Sequence, residues 1–391
     1  MKRIEASAPG KLVLLGEYAV LDGAPALVLA VDCRASAKLD SRESPNSLIA
    51  RHPGIAKRYP GPSAFASRGV ARKSLVPGFR QDDEQNQRFT GGDGSWEIVS
   101  PTLQLQARVR LQDGHATWID AAPAELEWVA TLLSRFPQIE RLPACRIELD
   151  SDTFHHDHAG TRIKLGLGSS AALTVALLGA LHALGGQPAP TLAECVDAHR
   201  AIQHGRGSGI DIAASLHGGL SRFQLDASHT PQVEALTWPD GLHWRCVYSG
   251  KPASTSAMLA TVAAWRARQP GEYTRRIHEL ATMASRGVDA VARADSATAL
   301  ASFHDYAIAL AGLGEASGAD IASHAHRALG RLADECGVTY KSCGAGGGDV
   351  GITFSVDDVR LQVFSERATR AGFPVIEMQA AARGLEVLAV D

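Results

Sequence analysis

The spacing of apolar positions changes along the chain, and the changes divide it into elements. Near the start, short apolar runs are separated by turn residues. Ile4–Ala8, Lys11–Leu15 and Ala26–Val31 read as strands, Pro9-Gly10 as a turn, and Asp22-Gly23 as a hairpin signal. Ser95 to Leu111 alternates as two strands do, and Cys145–Leu149 as one more. From Pro123 to Phe136 the period lengthens to that of a helix, with Leu126, Val129, Leu132 and Leu133 on one face. Helices are expected over 171–184, 192–202 and 256–268, and strands over 235–247 around a turn at Pro239-Asp-Gly241. Residues 272–336 are Ala-rich and mostly helical, with periodic Ala301, Phe303, Tyr306, Leu310 and Leu313. Leu361 to Val390 holds a helix and one or two strands.

Three stretches break these patterns with glycine. In Lys164-Leu-Gly-Leu-Gly-Ser-Ser-Ala-Ala172, a tight loop opens the helix that begins at Ala171. The first amides of a helix have no intrahelical partner and carry partial positive charge, so such a loop can cradle a phosphate. Lys164 adds a cation, and the Ser169 and Ser170 hydroxyls suit phosphate oxygens or a metal. An ordinary serine N-cap is the other reading. The stretch is neither a Walker A loop nor a dinucleotide fingerprint. In Gly207-Ser-Gly-Ile-Asp211, a second glycine turn precedes a helix whose first turn carries Asp211, either as a complement to the helix dipole or as a ligand-facing carboxylate. In Lys341-Ser-Cys-Gly-Ala-Gly-Gly-Gly-Asp-Val-Gly351, four of the five residues 344–348 are glycine. That density suits contact with phosphate or with a neighbouring loop. His155-His-Asp-His158 lacks the helical spacing that converges metal ligands and reads as a polar loop.

Composition narrows the classes. A chain of 391 residues can bury a large core and is expected to form two domains. A net charge of −3 gives no global field for nucleic acid or membrane. Six scattered cysteines without a Cys-x-x-Cys pair fit a reducing cytoplasm. Between Arg51 and Arg80 stand Arg51, Lys57, Arg58, Arg68, Arg72, Lys73 and Arg80 with no acidic residue. This insertion, about 40–95, is either a long solvated loop or a basic flap for an anionic substrate.

Ala6-Ser-Ala-Pro-Gly-Lys-Leu-Val-Leu-Leu-Gly-Glu-Tyr-Ala-Val20, Lys164–Ala172 and Lys341–Gly351 stand in the order of the three motifs of the GHMP small-molecule kinases, with Gly207–Asp211 in addition, and the chain resembles that family over nearly its whole length. The Gly-Glu-Tyr-Ala-Val run, Ala198-His-Arg200 and Lys251-Pro-Ala-Ser-Thr255 are similar to its phosphomevalonate kinase branch. The resemblance implies an α+β, two-lobed GHMP kinase fold. Its N-terminal domain (1–225) would be like ribosomal protein S5 domain 2, and its C-terminal domain (226–391) ferredoxin-like. It implies ATP and Mg²⁺, a small anionic substrate, no nucleic acid or membrane partner, and a cytoplasmic monomer or homodimer. The expected reaction is phosphorylation of 5-phosphomevalonate to 5-diphosphomevalonate.

By the same resemblance, Lys11 and Asp211 are the catalytic pair. Lys164, Gly166, Leu167, Gly168, Ser169, Ser170 and Ala171 would bind the nucleotide, with Ser170 on the metal side. Glu17, Tyr18, Ser208, Gly209, Lys251, Ser254, Thr255, Gly346, Gly347 and Asp349 would line the substrate cleft. Mevalonate kinases carry a metal-holding Glu on the helix before the catalytic Asp; here Arg200 stands there, with His199 beside it. The alternatives are a family member acting on mevalonate or a sugar, and a non-catalytic ligand-binding regulator. A decarboxylase of the same family is disfavoured, because its Gly-Ser-Gly-Ser-Ala stretch is absent at Gly207–Ile210.

Overall fold

A computed structural model describes residues 2–41, 94–158, 160–203, 205 and 207–390. The basic stretch Arg51–Arg80 lies outside the described residues. The elements in chain order are β1 (Lys2–Leu15), β2 (Ala26–Ser41), β3 (Trp96–Ser100), β4 (Leu105–Gln112), β5 (His115–Trp118), α1 (Glu127–Arg135), β6 (Cys145–Asp150), β7 (His155–His158), β8 (Thr161–Lys164), α2 (Ser169–Leu184), α3 (Leu192–Ile202) and α4 (Ile210–His217). They continue as β9 (Leu220–Leu225), β10 (Pro231–Leu236), β11 (His243–Tyr248), α5 (Thr255–Arg268), α6 (Pro270–Ala292), α7 (Ser296–Ser317), α8 (His324–Cys336), β12 (Thr339–Ser342), β13 (Val350–Ser355), α9 (Asp358–Arg370), β14 (Val375–Ile376) and β15 (Glu386–Val390).

Two main sheets carry the α+β fold. The first runs β10-β9-β2-β6-β3-β4-β5, with β1 laid along β2 and β15 along β1; it is antiparallel except for the β3–β6 pair. The second is the antiparallel β12-β13-β11-β14. The apolar helix α2 packs on β1 and β2, and its interior Gly179 lets the Leu385 side chain lie against the helix backbone. In the second lobe Phe303 of α7 stacks on Phe354 of β13, ring centres 4.2 Å apart. Such aromatic pairs contribute beyond their buried area.

Several expectations are corrected by this topology. Pro9-Gly10 is not a turn: β1 runs through it with a register shift. Gly10 is required there by close approach, since a Cβ would lie 2.8 Å from the Phe154 ring and 2.9 Å from the Leu167 carbonyl. The β1–β2 connection is longer than a two-residue hairpin and includes a 3₁₀ turn at Ala19–Asp22. His155–His158 is a strand of the β7–β8 hairpin, not a loop. The strands within 235–247 do not pair: β10 completes a hairpin with β9 in the first sheet, and β11 is central in the second. The first sheet therefore extends beyond residue 225 and recovers the chain's last strand. Ala301 is exposed, while Phe303, Tyr306, Leu310 and Leu313 are core.

The lobes are joined by a buried ion pair. Lys341 of β12 donates to Glu17 Oε1 at 2.5 Å and to the Ser342 carbonyl at 2.7 Å, with both charged side chains almost wholly buried. Tyr306 donates to the Glu17 carbonyl at 2.8 Å, and Tyr18 to the Ala345 carbonyl at 2.7 Å. Burial pushes the Glu17 carboxyl up, and the Lys341 ammonium opposes that shift. Removing one partner of such a pair leaves an uncompensated buried charge. Lys341→Ala is therefore expected to lower stability in urea by about 3–5 kcal/mol. The double variant Glu17→Gln/Lys341→Met should lose clearly less; an equal or larger loss would show that the pair is not the source of the effect.

Candidate active site

The glycine loop before α2 is built by alternation. Leu165 and Leu167 point into the core, while Gly166 and Gly168, each following a leucine, take φ of +69° and +83°. The Lys11 amide of β1 donates to the Leu167 carbonyl at 2.9 Å and fixes the loop to the sheet. Gly168 is the N-cap of α2, and no side chain caps that helix. By contrast, α3 is closed by a capping box between Thr191 and Glu194. Ser169 and Ser170 therefore lie within the first turn rather than at the cap. The opening amides of Ser169, Ser170 and Ala171 are left for an anion, with the helix dipole behind them. Lys164, exposed at the end of β8, stands at the loop entrance.

Lys11 and Asp211 meet at this point. A Cβ on Gly168 would lie 3.3 Å from two side-chain carbons of Lys11 and 3.8 Å from the Asp211 Cβ. Lys11 comes from β1, and Asp211 from the first turn of α4, a helix that also opens on a left-handed glycine, Gly209, without a side-chain cap. A cation from one element and a carboxylate from another thus flank the mouth of the uncapped helix.

The third glycine run packs against loops. A Cβ at Gly346 would meet Ile321, one at Gly347 would meet Met258, and one at Gly348 would meet the backbone of Lys251 and Pro252. Asp349 then reaches the glycine loop before α2: a Cβ on Gly166 would fall 2.3 Å from its Oδ2. Its amide donates to the Lys251 carbonyl at 2.8 Å, and its Oδ1 accepts from the Ala253 amide at 3.1 Å. Burial pushes the Asp349 carboxyl up; the Ala253 hydrogen bond, Lys11 and Lys164 oppose that rise.

Other expected cleft residues have different placements. Glu17 is buried under Lys341, so it joins the lobes and offers no surface to a substrate. Tyr18 is buried and bound to Ala345, holding the third loop. Ser208 is buried and accepts from the Ile210 amide, and Gly209 sits against Val196. Ser254 caps α5, accepting from the Ala257 amide, and Thr255 is the exposed first residue of that helix. Lys251 pairs with Asp320 at 3.2 Å, both about half exposed.

Arg200 turns away from the site. Its guanidinium donates to the carbonyls of Gly207, Ser208 and His229 at 3.3–3.5 Å, bracing the loop before α4. His199, its neighbour on α3, faces inward, with Nε2 3.4 Å from Ser170 Oγ and 3.3 Å from Gln203 Nε2. Burial lowers its pKa, and the Asp211 charge partly restores it. Its role was missed in the sequence, although His199 lies four residues after buried Cys195 on the inward face of α3.

Residues 127–219 match the GHMP kinases N terminal domain, a span that includes the glycine loop before α2 and Asp211. A phosphomevalonate kinase from Streptomyces sp. (strain CL190) is 28% identical over 368 residues, covering 88% of each chain. A solved protein of Listeria innocua superposes with a TM-score of 0.74 at 19% identity, covering 100% of this chain and 99% of that one. The Streptococcus pneumoniae phosphomevalonate kinase, solved with phosphomevalonate and AMPPNP, superposes with a TM-score of 0.67 at 17% identity, covering 96% and 99%. The structural likenesses establish the two-lobed fold. The domain match over residues 127–219, the glycine elements that meet at α2 and the Streptomyces relative make this chain similar to the GHMP kinases, a family of phosphotransferases.

Proposed function

We propose that the chain transfers the γ-phosphoryl group of ATP to 5-phosphomevalonate, giving ADP and 5-diphosphomevalonate. The observation that carries this reading is the convergence of Lys11 and Asp211 on Gly168, at the uncapped start of α2. Phosphoryl transfer asks for positioning and charge neutralisation more than for covalent chemistry. The α2 amides and Lys164 hold nucleotide phosphates, and Lys11 faces the transferred group. The choice of acceptor is supported by the Streptomyces relative, which matches along most of both chains. It is also supported by Arg200, a cation where mevalonate kinases carry a metal-holding carboxylate.

Among the described residues, no group of three His, Cys, Asp or Glu side chains converges as a metal site. The available donors are the exposed Ser170 hydroxyl and the half-exposed Asp211 carboxylate. Such a sparse set suits Mg²⁺, which keeps several waters and is held largely by substrate phosphates. Bound there, the ion would neutralise phosphate charge. Among the described residues, no helix is long and apolar enough to cross a membrane. We assign the protein to the cytoplasm, as a monomer or homodimer.

A phosphate acceptor changes the demands on the protein. Its second pKa is about 6, so the attacking oxygen is already anionic near neutral pH. That oxygen attacks the γ-phosphorus, the bond to the β-phosphate oxygen breaks, and ADP leaves with the electron pair. Repulsion between two anions is then the main obstacle, and Lys11 opposes it. A hydroxyl acceptor such as mevalonate would instead need a base, and in that second reading Asp211 beside Lys11 would supply it.

ADP release is to be followed with ATP, Mg²⁺ and mevalonate, 5-phosphomevalonate or 5-diphosphomevalonate. Turnover is expected with 5-phosphomevalonate alone. Turnover with mevalonate overturns the acceptor, and silence with all three, and with sugars, points to a regulator. Lys11→Ala is expected to lower kcat/KM about 10²–10³-fold, as loss of a transition-state charge partner does. Asp211→Asn should cost clearly less. Equal, large losses would restore Asp211 as general base.

A further inference from the structure

The helix α3 supplies a second-layer group to the nucleotide loop. His199 is almost fully buried, and its Nε2 faces two groups at once: Ser170 Oγ at 3.4 Å and Gln203 Nε2 at 3.3 Å. With its amide nitrogen toward the ring, Gln203 donates to Nε2 of the tautomer that carries its proton on Nδ1. The Ser170 hydroxyl lies opposite the same single lone pair, which the two donors share. At 3.4 Å the contact is at the long end for an O–H···N bond.

A serine hydroxyl has one proton and two lone pairs. To face a cation it must turn its proton elsewhere. The Ser170 backbone carbonyl is engaged by the Thr174 hydroxyl at 2.9 Å, and among the described residues the Ser170 hydroxyl has His199 as its side-chain partner. We propose that His199 is a positioning residue: its Nε2 accepts the Ser170 proton and so turns the Ser170 oxygen lone pairs toward the Mg²⁺ carried on the nucleotide. Arg200 has no part in this, because its guanidinium is bound to the loop carbonyls on the other side.

This inference rests on the ATP half of the proposed function and not on the acceptor. Its test is therefore binding rather than turnover. The affinity of AMPPNP is measured calorimetrically with and without Mg²⁺ for the wild-type chain, His199→Phe, His199→Gln, Ser170→Ala and the Ser170→Ala/His199→Phe double variant. Outer-layer partners of metal ligands typically change metal affinity about 10–100-fold. His199→Phe is expected to weaken AMPPNP at least about tenfold in Mg²⁺ and by less than about twofold without it. His199→Gln, whose amide oxygen can accept, should recover most of the loss. In the Ser170→Ala background His199→Phe should cost nothing further, because the two act as one unit. Equal losses with and without Mg²⁺, additive losses, or no loss at all would overturn the proposal. Should His199→Phe fail to fold, ¹⁵N NMR of the wild-type imidazole decides. A neutral ring protonated at Nδ1 is expected, and one protonated at Nε2 overturns the assignment.

Discussion

Everything at the site depends on keeping one helix start open. The leucines of the 164–168 loop are held in the core, so the glycines between them present bare backbone to the cleft. With Gly168 as the cap residue, no side chain competes for the first amides of α2. Those amides are unpaired by the geometry of any helix and attract an anion for that reason. The same bare backbone admits neighbours: Lys11 and Asp211 close on Gly168, and Asp349 closes on Gly166. A side chain at either glycine would overlap or crowd one of them.

That arrangement draws on both lobes, so it needs them held in register. Lys11 belongs to the first sheet, to which its amide ties the loop, and Asp349 to the turn before β13 of the second. The Glu17–Lys341 pair, the Tyr306 bond to Glu17 and the Tyr18 bond to Ala345 cross between them. A buried ion pair is a poor source of net stability, because desolvation offsets most of the attraction. It does penalise misplacement, since a shift of either lobe strands a charge. The Gly-Glu-Tyr run thus serves the site from behind. His326 acts in the same way from α8, with its ring nitrogens against the Tyr340 hydroxyl and the Gly348 carbonyl at 2.7 and 3.0 Å. Burial lowers its pKa to about 4, so the ring stays neutral near neutral pH.

Local chemistry made much of this legible in the sequence. The apolar period located α1 and α3 within a few residues, and glycine beside serine marked the start of α2, because both signals are carried by consecutive residues. Glycine clusters also marked all three loops of the site. What failed was set by distant partners. Pro9-Gly10 reads as a turn until Phe154 and Leu167 are seen to press on Gly10 within a strand. Residues 235–247 read as a hairpin until β11 is found in another sheet. Glu17 reads as a cleft residue because nothing near it in sequence announces Lys341, whose ammonium buries it.

The exchange of roles on α3 follows from helix geometry. Neighbouring residues on a helix point about 100° apart, so Arg200 and His199 cannot both face Ser170. Arg200 is spent on three carbonyls of the loops around α4, which secures the turn that presents Asp211. His199 takes the inward position. A carboxylate there would add negative charge beside nucleotide phosphates and beside Asp211, tolerable where a metal is bound directly. An imidazole adds none. With an acceptor that is itself a phosphate, the site must host one more anion than a hydroxyl substrate brings. An inner face of α3 without a carboxylate adds nothing to the repulsion between two phosphates.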